Sequence, residues 1–436
     1  MSPLESVLTF RSATAAQEGP QAAMLLQRYK LLRRQTELLT ATLTPEDQMV
    51  QSCAEASPAK WHLEHTTWFF ETFLLTPYLK DYEAFHPRFR TLFNSYYNAV
   101  SAQPEKAIRN TFSRPSLEEV HKYRRHVDEH MSRLLEAEDV STEMLALVEL
   151  GINHEQQHQE LLVTDVKHAF WTNPLRPPYQ ASLPAPASDS PPPQRPHSYP
   201  AGLHEIGADP AIFHFDNENP RHKVYVQPFR FAARPVTCGE YLAFMEDGGY
   251  DRVELWLSDG WSEVKTRGWT APLYWEKSGS EWQQFTCAGM RRVEEREPVC
   301  HVSYYEADAF ARWAGARLPS EFEWEIAAAP AAVDGNFLEN GYFHPVPARS
   351  EDGGQPLQIF GDVWEWTASG YLPYPGYKPL PGAVGEYNGK FMCNQMVLRG
   401  GSCVTPASHM RASYRNFFPP ETRWQFSGIR LADDQL

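Results

Sequence analysis

Paired cysteines are missing from this chain. Its six (Cys53, Cys238, Cys287, Cys300, Cys393, Cys403) are scattered with no CxxC pair, a spacing that supports neither a zinc knuckle nor a dense disulfide framework. Basic residues are also short: 40 Lys and Arg stand against 55 Asp and Glu, a formal charge of −15. That balance argues against a nucleic-acid groove or an anionic membrane surface as the main partner. No stretch is long enough to span a bilayer. The start, Met1-Ser2-Pro3-Leu4-Glu5, lacks the basic residues and apolar run of a signal peptide. A soluble protein in a reduced, cytoplasmic setting is the expectation, with no nucleic acid and no membrane as partner.

Rings are plentiful, with 13 Trp, 20 Tyr and 24 Phe available for cores and for cation-binding pockets. At 436 residues the chain exceeds a typical single core, so two domains are expected. Residues 172–200 hold ten prolines in 29 positions. So many missing donors and fixed φ angles preclude a helix or an inner strand, leaving a linker or surface strap. Before it the text is helical. Met24, Leu25, Tyr29, Leu32 and Leu39 recur at helical spacing, and Ser57-Pro58 reads as an N-cap with proline opening the next helix. Ser116 and Glu119 form a capping-box pattern, and a fourth helix is expected over about 142–171. After the strap, short β-type pieces alternate with turns, and two short helices are expected near 238–246 and 305–314. The boundaries are thus a helical domain over 1–171, the linker over 172–200, and an irregular α+β domain over 201–436.

The sharpest chemical signal is His154-Glu155-Gln156-Gln157-His158. Residues four apart share a helix face, so both imidazoles can reach one metal. A histidine from Trp61-His62-Leu63-Glu64-His65 on a facing helix would complete a set of three, as helical bundles commonly build metal sites. The same pentapeptide matches the zinc-protease HExxH pattern with Glu155 as general base. The metzincin extension fails, however, because Leu161 and Thr164 stand where Gly and His are needed. Imidazole ligands suit iron, zinc, copper and nickel alike, so the ligand type does not name the ion.

Several stretches together carry a family resemblance: Trp61-x-x-x-His65, Leu92-Phe93-Asn94-Ser95-Tyr96-Tyr97-Asn98, and the pentapeptide at 154–158. Further along come Asp216-Asn217-Glu218-x-Pro220-Arg221-His222, Arg317-Leu318-Pro319-Ser320-Glu321, Gly361-Asp362-Val363-Trp364-Glu365-Trp366 and Leu398-Arg399-Gly400-Gly401-Ser402. From about residue 25 onward the chain resembles the ergothioneine-biosynthetic sulfoxide synthases, or hercynine oxygenases. The resemblance implies a DinB-like four-helix bundle carrying the iron, joined to an irregular α+β domain of the formylglycine-generating-enzyme (C-type-lectin-like) kind that lines the active site. It implies Fe(II) held by His65, His154 and His158, with His62 the alternative in the first place. It further implies oxidative C–S bond formation between hercynine and a thiol, using O2.

Departures from the family pattern bear on the substrate. The formylglycine chemistry needs two cysteines, but Thr405 and Met410 align there and Cys403 falls out of register. Relatives that take γ-glutamylcysteine carry Asn-Trp-Asp where this chain has Asn416-Phe417-Phe418, and two arginines where it has Val100 and Gln103. Free cysteine is therefore favoured over γ-glutamylcysteine, with Arg415, Arg423 or Arg109 to meet its carboxylate. Phe417, Phe418 and Trp424 are candidate faces for the quaternary ammonium of hercynine, worth about 0.5–2 kcal/mol per good contact. Gln157 and Asn416 are candidates for its carboxylate or ring nitrogen. The family's catalytic tyrosine has no match in Tyr377-Lys378-Pro379-Leu380, so Tyr96 and Tyr97 take that role, with Tyr387 in reserve. Two other readings stand beside this one. An ovothiol-type synthase would use histidine, but commonly adds a methyltransferase domain, where this sequence stops shortly after Gly428-Ile429-Arg430-Leu431-Ala432. A non-catalytic ligand-binding module is the other.

Overall fold

The computed structural model of the chain describes residues 15–95, 97–184, 191–349 and 354–434. They form two compact units. The first takes in the chain up to Thr172 together with Asp209–Asp216 and Lys378–Lys390; the second holds Asn173–Ala208, Asn217–Tyr377 and Phe391–Leu436. Nothing local in the sequence marks those two short segments as belonging with the helices. The proline-rich stretch makes contacts of its own. Gln180 N–H donates to Cys287 O at 2.9 Å, and His197–Tyr199 is an edge strand paired with Phe229–Phe231.

The first unit is helical. Its elements are α1 (Ala15–Thr40), α2 (Ala59–Phe70) with a π-helical continuation over Glu71–Leu75, the short turns α3 (Thr76–Tyr78) and α4 (Phe89–Leu92), then α5 (Leu117–Leu135) and α6 (Thr142–Thr172). Helices α1, α2, α5 and α6 contact one another around one apolar core that includes Leu25, Tyr29, Trp68, Phe70, Val127, Leu145 and Val148. Each such large side chain contributes about 1.5–3 kcal/mol when fully buried. The helix α5 starts where its capping box predicts, with Ser116 accepting from Glu119 N–H. Its Val120, Tyr123, Val127, Met131 and Leu134 turn one stripe inward.

All twelve residues of α2 are buried. Its N-cap is Pro58, with φ −59° and ψ 145°, so the helix opens one residue later than the sequence suggests. Ser57 is otherwise engaged: its N–H donates to Asp165 and its hydroxyl accepts from Arg109. Close approach between α6 and α2 needs Gly151, since a Cβ there would lie 2.6 Å from Phe70 Cε1. That contact sits one turn before His154.

The second unit is α+β. A four-stranded sheet runs in the order Asn416–Phe418, Met396–Arg399, Trp364–Gly370, Ser427–Gly428, its last pair parallel. Two three-stranded sheets and the pair Gly202–Ile206 with His222–Val226 complete the strands. Helices Cys238–Glu246, Tyr304–Trp313 and Glu321–Ala328 each begin with a capping box. The Arg399-Gly400-Gly401 motif follows the strand Met396–Arg399, and both glycines have positive φ (98° and 82°), a turn that disfavours any side chain. Among the described residues no helix is long and apolar enough to cross a membrane.

Candidate metal centre in the helical unit

Two helices bring three imidazoles together. His65 comes from α2, His154 and His158 from one face of α6, and one ligand-capable atom of each lies within 4.8 Å of the other two. All three rings are buried. Burial lowers the pKa of His154 to about 4, and burial followed by neighbouring imidazoles and Arg109 takes His65 and His158 well below the usual histidine range. All three are therefore neutral at pH 7, the state in which imidazole offers a lone pair to a metal.

Local bonds decide which nitrogen is free. His65 Nδ1 lies 2.7 Å from Phe93 O. A carbonyl only accepts, so Nδ1 carries the proton and Nε2 the lone pair. His65 Nε2 and both ring nitrogens of His154 are buried with no hydrogen-bond partner in the protein. Buried polar atoms normally find partners, and a divalent transition metal would satisfy these. The donor set fits such an ion without selecting iron over zinc, copper or nickel. Among the described residues this trio is the grouping of His, Cys, Asp and Glu that can hold one.

His62, the alternative on α2, stands behind the trio. Its Nδ1 lies 2.9 Å from His158 Nδ1, and its Nε2 lies 3.0 Å from Asp165 Oδ2. Trp61 stacks on His65 with centroids 4.5 Å apart and planes at 11°. The guanidinium of Arg109 lies 3.4 Å from the Trp61 ring centroid and donates to the hydroxyls of Ser57 and Ser95, each at 2.8 Å. Phe69 covers His154 at 4.6 Å.

Glu155 faces away from the trio. Its carboxylate accepts from Arg33 Nη1 at 2.8 Å, Thr36 Oγ1 at 2.7 Å and Arg124 Nη2 at 3.2 Å. Burial alone would raise its pKa, but Arg33 and Arg124 hold it at about 2. A carboxylate so acidic and so occupied is no general base, which removes the protease reading.

The other expected site residues divide by unit. Tyr97 is buried in the helical unit against Phe73 at 5.1 Å and Trp68 at 5.6 Å, next to Phe69. Tyr96 lies outside the described residues. The reserve candidate, Tyr387, belongs to the same unit, its ring edge-on to His154 at 6.3 Å and 85°. Its segment is pinned by Glu386, whose carboxylate accepts from the backbone N–H of Asn98 (3.0 Å) and Ala99 (2.8 Å), while Ala383 and Val384 pack on the helical core. Gln157 lies half-buried on α6 between the two histidines.

Asn416, Phe417, Phe418, Arg415, Arg423 and Trp424 belong to the second unit. Phe417 stacks on Tyr371 at 4.0 Å, Phe418 meets Trp424 at 5.8 Å, and Asn416 Oδ1 accepts from Phe417 N–H. Arg415 is gripped by Glu321 through Nε (2.8 Å) and Nη2 (3.0 Å), and Arg423 donates to Glu306 at 2.9 Å. Both arginines are thus paired with carboxylates of their own unit. Thr405 Oγ1 accepts from Ser402 N–H at 2.8 Å, and Met410 packs beside Gly401. The pairing of Asp165 with His62 escaped the sequence reading, although Asp165 falls two turns after His158 on the same face.

Comparison with known proteins defines the class first. Residues 188–348 and 339–435 match the family model of the sulfatase-modifying factor enzyme 1-like domain, so the α+β part is a domain of that kind, here preceded by a helical unit. Formylglycine-generating enzyme of Streptomyces coelicolor is 27% identical over 304 residues, 58% of this chain and 96% of that protein. Hercynine oxygenase of Mycobacterium tuberculosis is 39% identical over 240 residues, which cover 50% of this chain and 56% of that one. Its namesake in Mycolicibacterium smegmatis is 34% identical over 315 residues, 65% of this chain and 71% of the relative. The chain belongs to the hercynine oxygenase family. The match to the Mycobacterium tuberculosis protein spans little more than half of that relative's length.

Proposed function

We propose that this protein is a non-haem Fe(II), O2-dependent sulfoxide synthase that joins hercynine to a thiol in ergothioneine biosynthesis. The overall change balances as an imidazole C–H, a thiol S–H and O2 giving a C–S bond with one oxygen on sulfur, plus water. The observation that carries the reading is the buried, neutral His65–His154–His158 trio in a chain of this family. Ferrous iron, when bound, would supply the redox-active centre and Lewis acidity.

The chain's own residues supply the rest. His65 would bind through Nε2, held in place by the Phe93 carbonyl and the Trp61 stack. Trp61, Trp68 and Phe69 keep bulk water from the imidazoles. Tyr387 and Tyr97 are the proposed holders of the proton needed during oxygen reduction, and the position of Tyr387 at His154 favours it. Arg109, a buried cation that bears on His65 and His158, is the proposed partner for a substrate carboxylate. Phe417, Phe418 and Trp424, with Asn416 and Gln157, stay proposals for hercynine on the resemblance alone, as does the DinB-like nature of the helical unit. Free cysteine is the proposed donor: Val100 packs on the helical core and Gln103 donates to Asn98 Oδ1, so neither place offers a cation for a glutamyl arm.

The test is a four-way incubation of hercynine or histidine with cysteine or γ-glutamylcysteine, under Fe(II) and air, read by product mass. A sulfoxide from hercynine and cysteine, lost in His154→Ala, is expected. Turnover of histidine in preference to hercynine, or no product from either, overturns the reading.

A further inference from the structure

Of the three imidazoles, His158 is the one whose second nitrogen is met by another histidine. Asp165 Oδ2 accepts from Ser57 N–H at 2.8 Å and faces His62 Nε2 at 3.0 Å. An ionised carboxylate only accepts, so His62 Nε2 carries a proton. With its single ring proton on Nε2, His62 presents the lone pair of Nδ1, which faces His158 Nδ1 at 2.9 Å. His158 Nδ1 must therefore be the donor, and its Nε2 is left unprotonated. The reverse order, with His62 donating to His158, would protonate His158 Nε2 and remove it as a ligand. Only one tautomer arrangement is compatible with metal binding.

We propose that His62 and Asp165 form an orienting relay for His158, a carboxylate–imidazole–imidazole chain anchored on the Ser57 backbone, and that the metal affinity of the trio depends on it. His62 and Asp165 are positioning residues, since neither is among the three that share the candidate centre. The relay rests on the reading of the trio as a metal site. Ligand histidines in metalloproteins are commonly fixed through their other ring nitrogen by a carboxylate or carbonyl, and loss of that partner weakens binding about 10–100-fold. Here the carboxylate acts through an intervening ring, a device that needs both helices. His62 comes from α2, whereas His158 and Asp165 come from α6.

Co(II) is the probe for the test, titrated into the metal-free full chain, with its visible spectrum reporting the ligand field. His154→Ala is the control that abolishes the site. His62→Leu is expected to weaken Co(II) binding about 10–100-fold and to alter the spectrum. His62→Asn, whose carbonyl can accept from His158 Nδ1–H, is expected to recover most of the affinity. Wild-type affinity in His62→Leu, or no recovery in His62→Asn, overturns the relay. Should the leucine variant not fold, nitrogen-15 resonances of histidine in the Zn(II)-loaded wild type decide instead. Protons on His62 Nε2 and His158 Nδ1 are expected, and a proton on His62 Nδ1 refutes the relay. Wild-type protein that binds no Co(II), or binds it equally in His154→Ala, refutes the metal centre itself and the relay with it.

Discussion

Glu155 lies between His154 and His158 in the sequence, yet its carboxylate is enclosed by Arg33, Thr36 and Arg124. Its partners come from α1 and α5, far along the chain, so nothing in the pentapeptide tells a structural glutamate from a catalytic one. The spacing of His154 and His158 was legible because helical periodicity is local; the direction of Glu155 was not, because its energy is set by long-range pairing. Removing one member of a buried ion-pair network leaves uncompensated charge and costs about 3–5 kcal/mol. Glu155→Ala is expected to lose that much in urea unfolding. A catalytic base would instead show lost activity at unchanged stability. The pairing of Arg415 with Glu321 follows the same logic, since the two partners lie 94 residues apart in the chain.

At the level of elements, the capping boxes at Ser116, Thr237, Ser303 and Ser320 put helix starts within reach of sequence reading, since both partners lie three residues apart. The segment Lys378–Lys390 carried no such mark. Short 3-10 turns and glycines make it read as a loop, and its attachment rests on Glu386 meeting the N–H groups of Asn98 and Ala99 from a distant part of the chain. The sequence ranks Tyr96 and Tyr97 ahead of Tyr387 because the family's tyrosine has no match at Tyr377-Lys378-Pro379-Leu380 and the pair follows the first ligand helix. Tyr387→Phe is expected to lower sulfoxide formation by roughly 10²-fold, as for a general acid, while metal content stays at the wild-type level. Product mass and bound-metal analysis on the same preparation check it. Unchanged turnover would return the role to the tyrosines after α4.

For the whole molecule, the buried imidazoles make the metal-free protein sensitive to acid. His154 titrates near 4 in the folded state and near 6.5 when unfolded, so between those values the unfolded chain binds the extra proton. Stability then falls as pH drops from about 6.5 toward 4. At pH 5 the cost from His154 alone is about 2 kcal/mol, and His65 and His158 add in the same direction. Glu155 is the opposite type: its stabilisation is present above about 4.5 and is lost as pH falls toward 2, so it does not offset the loss. The urea midpoint of chelator-treated protein is expected to decline from pH 7 to pH 5. A level or rising midpoint contradicts this account.

The composition of the helical unit sets an order of events at the ribosome. All three imidazoles have been synthesised once Thr172 is made, but Ala383, Val384, Glu386 and Tyr387 follow only after the intervening α+β text. A nascent chain therefore holds an early helical core with part of its apolar surface bare and the N–H groups of Asn98 and Ala99 answered by water. It reaches its finished form only after the segment ending at Lys390 has left the ribosome.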